Sequence, residues 1–83
     1  MNHNRVYNVG KRGDIMKLEV KLLEMMARNN IRQIEELHHL TGISRTTIRL
    51  ILEGKKNALY FETIATLCEK LNCRIDELLV IKR

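Results

Sequence analysis

Between Arg45 and Lys56 the chain sets four cations against one acid, Glu53, with two threonines and two leucines among them. Guanidinium groups donate in pairs, so Arg45 and Arg49 suit either guanine N7/O6 or a phosphate. Thr46 and Thr47 can reach the same acceptors, and Leu50 offers an apolar contact of the kind a thymine methyl accepts. Lys55, Lys56 and Asn57 follow in a loop, where they suit a phosphate backbone. Such contacts set affinity and register and carry no sequence information.

These groups act together only if a helix presents them. With Ile48 facing the core, about 100° per residue puts Thr46 and Leu50 on the opposite side and Arg49 and Glu53 beside them. Arg45 flanks the first turn, where the helix end adds partial positive charge. Ile48, Ile51 and Leu52 form the inner face. Ser44 is a good N-cap. Ahead of it, Ile34, Leu37 and Leu40 recur at i, i+3, i+6 and predict another short helix with one apolar face, Glu35 and Glu36 lying on its outer side. Gly42 ends that helix, since a sharp turn between crossing helices needs φ > 0, and Ile43 is the buried residue of the turn. Two helices joined this way can set the second into a major groove.

With those residues in place, the chain resembles the Cro/C1-type (XRE-like) helix-turn-helix regulators. Phe61–Leu71, the turn Asn72-Cys73 and Arg74–Leu79 correspond to the family's fourth and fifth helices, and Ile15–Asn29 to its first. The resemblance covers about Ile15 to Leu79. It implies an all-α, five-helix, lambda-repressor-like domain over residues 15–83, preceded by a basic arm over residues 1–14. It also implies that Gln33 opens the first motif helix and holds a phosphate, with Arg32 in the place of the usual Ser/Thr cap and pointing at the DNA backbone. Ser44 joins this phosphate-facing set. Three positions depart from the family pattern. His38 replaces a small alanine, so it must tuck sideways or the helix crossing opens. Leu50 replaces a polar base-reading side chain. Leu59-Tyr60 replaces Pro-Ser/Thr, leaving the fourth helix poorly capped.

Eighty-three residues suffice for one small domain with a modest core. Proline is absent and strand-like runs are few, which favours a helical bundle. A net charge of +5 suits a nucleic-acid partner. No apolar run approaches the ~20 residues of a membrane span, and no signal-peptide hydrophobic region opens the chain, so a cytoplasmic protein is expected. Cys68 and Cys73 are too few for a disulfide framework and fit small core positions. Adjacent His38 and His39 diverge by about 100° on a helix, and with His3 they form no ligand spacing, so neither a metal nor another cofactor is expected. Nor do Cys68, Cys73, His38 and His39 form a triad spacing, which argues against an enzyme.

In the arm, Arg5, Lys11, Arg12 and nearby Lys17 oppose Asp14, which can cap the first helix; that helix is expected to bury Leu18, Leu22 and Met25, with Ile15 and Met26 at its margins. Arg5-Val6-Tyr7 has strand character. The arm is either an irregular terminus or a basic segment that wraps DNA, and Met16 offers an alternative start. At the other end, Val80 and Ile81 are either a strand or apolar patch at a dimer interface, or an end packed on its own domain. The expected function is a sequence-specific transcriptional regulator, a repressor acting as a homodimer on an inverted repeat in double-stranded DNA. With no ligand domain following, control would come from concentration, a partner protein or proteolysis. The rival class is a protein-interaction module, such as an antitoxin or an accessory subunit, using Leu50 and the apolar tail. Steep loss of DNA binding with rising salt separates the two.

Overall fold

Met16-Lys17-Leu18-Glu19-Val20 alternates apolar and polar residues, the period of a strand. In a computed structural model that describes residues 6–9, 16–56 and 58–82, this segment is a strand and not the start of the first helix. It pairs antiparallel with the chain on both sides. The first strand, β1 (Val6–Val9), lies on one edge and the last, β3 (Leu79–Lys82), on the other, with β2 (Met16–Val20) between them. The register runs from Val6 opposite Glu19 to Val9 opposite Met16, and from Lys17 opposite Lys82 to Val20 opposite Leu79. The expected all-α fold is therefore corrected: the bundle is mostly helical but carries a three-stranded sheet. The tail Leu79–Lys82 is a strand within its own domain. Strand character near Tyr7 holds. The proposed cap Asp14, Ile15, the arm's Arg5, Lys11 and Arg12, His3 and Asn57 lie outside the described residues.

Helix α1 is Leu22–Arg28, shorter than expected, because the chain is held extended until Lys21, whose N–H donates to the Leu78 carbonyl at 2.7 Å. Leu22, Met25 and Met26 are all core residues, so Met26 is not marginal, and Leu18 belongs to the sheet. Four further helices follow: α2 (Ile34–Thr41), α3 (Arg45–Glu53), α4 (Phe61–Lys70) and α5 (Ile75–Leu78). One core joins them to the sheet, built from Val20, Leu22, Met25, Met26, Leu37, Ile48, Ile51, Leu67, Leu71 and Leu78.

Three helices close by the same device. A residue with left-handed φ follows each, namely Asn30 after α1, Gly54 after α3 and Asn72 after α4. Each closure pairs two crossed backbone bonds of the Schellman type. After α4, Asn72 N–H donates to Glu69 O and Cys73 N–H to Cys68 O; after α1, Asn30 and Ile31 donate to Ala27 and Met26. The motif brings the Cys68 and Cys73 side chains together against the core as free thiols, and burial beside Cys68 pushes the Cys73 thiol up. Asn29 ties two helix ends, its Nδ2 donating to the Met25 and Leu71 carbonyls at 2.9 Å each. Arg28 donates to both Glu77 carboxylate oxygens, at 3.1 and 3.3 Å. The Arg28 hydrogen bond, with help from the Arg74 backbone N–H, holds the Glu77 carboxyl down to about 2.

Candidate nucleic-acid interface

Leu37 and Ile48 are fully buried and Ile34 is half-buried, so α2 and α3 are fixed to the body by their predicted inner faces. Leu40 is 42% exposed, against expectation. Six residues on from Ile34 the helix has turned about 600°, which leaves Leu40 some 120° off that residue's direction.

Side chains of α2 build the turn between the helices. Gly42 has φ 79°, and its N–H donates to the His38 carbonyl. Thr41 Oγ1 donates to Leu37 O at 2.7 Å and accepts from Ile43 N–H at 3.1 Å. His38 is half-buried with its Nδ1 2.7 Å from the Ile43 carbonyl, so Nδ1 carries the proton and donates. That bond is how a histidine is accommodated where a small residue was expected: the ring lies sideways and caps the turn carbonyl. A Cβ built on Gly42 meets nothing within 4 Å, so the position demands backbone freedom and not space. Gly42→Val is expected to destabilise the domain by about 1–2 kcal/mol through left-handed strain alone, and Gly42→Asn by less. Thermal denaturation checks this; an unchanged midpoint for the valine variant would contradict it.

Both helix starts differ in how they are capped. Gln33, not Arg32, is the N-cap of α2, and Ile34 is its first helical residue. Glu36 reaches back, its Oε1 accepting from Gln33 N–H at 3.1 Å and Arg32 N–H at 2.7 Å. Gln33-x-x-Glu36 is the sequence form of that reach-back, and it places the helix start one residue later than the resemblance implies. At α3 the expected cap is present: Ser44 Oγ accepts from Thr47 N–H at 3.1 Å and donates to Thr47 Oγ1 at 2.9 Å.

Arg45, Thr46 and Arg49 are exposed on α3, while Thr47 is half-buried at the cap. Leu50 is half-buried, not exposed as its direction suggested. At the end of α3, Gly54 (φ 72°) turns the chain and Lys55 N–H donates to the Leu50 carbonyl at 2.9 Å. Lys55 is exposed with its Nζ 3.8 Å from Glu53, Lys56 is half-buried, and Arg32 and Gln33 are exposed at the start of α2. The cations of both helix starts, Arg32 and Arg45, are thus exposed, as is Lys55 after α3.

Glu35, with His39 behind it, meets Arg45, though the sequence pattern gives neither a part in the DNA-facing set. Glu35 accepts from Arg45 through both carboxylate oxygens, Nε to Oε1 and Nη2 to Oε2, the latter at 2.8 Å. His39 Nε2 lies 2.7 Å from Glu35 Oε2, one helical turn on. The Arg45 hydrogen bond chiefly, with His39 adding, holds the Glu35 carboxyl down to about 2, and Glu35 in turn raises the Arg45 guanidinium. The i,i+4 spacing of Glu35 and His39 was visible in the sequence; their meeting with Arg45 across the turn was not.

A capped second helix, anchored by its apolar face and locked to a first helix by a left-handed glycine turn, with arginines on its open side, defines a helix-turn-helix DNA-binding domain. The chain belongs to the Cro/C1-type HTH DNA-binding domain family, whose family model it matches over residues 21–83. The matched stretch takes in all five helices and β3, while β1 and β2 precede it. No curated protein and no solved structure matches the chain. No helix among the described residues is long and apolar enough to cross a membrane.

Proposed function

We propose that this protein is a sequence-specific transcriptional regulator of the cytoplasm, a repressor that binds an inverted-repeat operator as a homodimer. The observation that carries this reading is the exposure of Arg45, Thr46 and Arg49 on a helix whose opposite face, Ile48 and Ile51, is fully buried. A rigidly seated helix with that outer face enters a major groove and addresses base edges. Arg32, Gln33, Ser44, Lys55, Lys56 and Asn57 then serve the flanking phosphates, and Thr47 works mainly through the cap. In a dimer the two α3 helices lie about 34 Å apart, one turn of B-DNA. Selection of genomic fragments with the purified protein tests all of this together. A recovered palindrome with half-sites one turn apart supports it, and binding that ignores sequence at every salt concentration sinks it.

Phosphate and base contacts separate by their salt behaviour. Lys55→Ala with Lys56→Ala is expected to weaken binding to all duplexes alike and to flatten the dependence of log K on log salt by about one to two. Fluorescence anisotropy over a salt series measures both. Unchanged affinity on every duplex would remove the loop after α3 from the footprint.

A further inference from the structure

Glu35 and Arg45 meet through one particular edge of the guanidinium. The carboxylate takes one N–H from Nε and one from Nη2. Both N–H groups of Nη1 and the second of Nη2 are left; the latter and one of the former form the end-on fork of the side chain. That fork can donate to a guanine O6/N7 pair in the major groove. His39 holds the carboxylate from one turn further along α2, at 2.7 Å, so the acid is itself fixed. The whole set is exposed, at the opening of α3 where base edges would be read.

Resting on the DNA-reading function proposed above, we propose that Glu35 is a positioning residue which holds Arg45 side-on, so that Arg45 reads a guanine and is kept off the phosphates. Two physical effects act together. The ion pair settles the rotamers of a long, exposed side chain before DNA arrives, so less freedom is lost on binding. The carboxylate also neutralises Arg45 locally and repels phosphate, which leaves a fixed donor fork with little net charge. A free arginine at a helix N-terminus would do the reverse and settle on the backbone.

The consequences run in opposite directions, which a merely structural role for an exposed carboxylate would not produce. Glu35→Gln, or Glu35→Ala, is expected to raise affinity for random-sequence duplex and to steepen the salt dependence by about one, since a freed cation joins the phosphate contacts. The same variants are expected to lose about tenfold or more of the preference for guanine at one position of each half-site. Arg45→Lys keeps the charge, lacks the fork, and is expected to lose that preference too; adding Glu35→Gln to it removes no further guanine preference. The experiment is selection from a randomised duplex pool by the full chain and each variant, followed by a salt series on the selected site. Guanine preference intact in Glu35→Gln, or an equal loss of affinity for every sequence, overturns the positioning role while leaving DNA reading in place. Wild-type protein that selects no sequence overturns the DNA reading and this inference with it.

Discussion

Ile48→Ala is expected to cost the domain about 2–5 kcal/mol of stability, the range for deleting three buried carbons from a core that cannot fully collapse. Ile48 is fully buried, and it belongs to the helix that must stay seated for its outer face to be presented. A domain this small has a total of only about 5–15 kcal/mol to lose. The variant's unfolding equilibrium constant thus rises about 30-fold or more, and its apparent DNA affinity falls with whatever folded fraction is lost. Thr46→Ala, two residues away on the exposed side, should leave stability within about 0.5 kcal/mol of wild type. Urea denaturation of both variants checks the pair. A midpoint for Ile48→Ala that matches wild type would mean that α3 is not held by this face.

What could be seen in the sequence was whatever local chemistry decides. Gly42 needs left-handed backbone, Ser44 needs only a free N–H two or three residues on, and Leu37, Ile48 and Ile51 follow from helical spacing. The strand Met16–Val20 is harder, because Leu18, Leu22 and Met25 also fit a helical period, and pairing with β1 and with β3, some sixty residues on, decides between them. The resemblance puts the start of α2 one residue early, whereas Gln33-x-x-Glu36 in the chain itself marks Gln33 as the cap. Direction along α3 points Leu50 away from Ile48, yet it is half-buried, because direction about one helix says nothing of the chain around it. The Glu35–Arg45 pair and the His38 bond to Ile43 needed the crossing of two helices, which the turn sets and the linear order hides.

Removing both arginines of α3, Arg45→Ala with Arg49→Ala, is expected to lower affinity for the selected operator by on the order of 100-fold or more, with little change in stability. The two differ in character. Arg45 is already engaged by Glu35, whereas Arg49 lies exposed in the middle of the helix with no ion pair to another described residue. Arg49 alone should therefore remove affinity from all duplexes as well as selectivity from one or two positions, because an uncompensated cation contributes counterion release wherever it binds. Arg45 alone should remove mainly selectivity, since its charge is locally matched. Exposed ion pairs contribute little to folding, so the urea midpoint should barely move in either variant. A bidentate contact is worth about five- to 150-fold in discrimination, and two well-separated ones combine roughly multiplicatively. The decisive comparison sets operator affinity beside capture of a protein partner. If the double variant binds the operator as wild type does, α3 is not a DNA reader. Should it at the same time lose a protein partner that wild type holds, the helix-turn-helix serves protein recognition. If operator binding falls far more than random-duplex binding while the fold persists, the exposed face of α3 is where sequence is read.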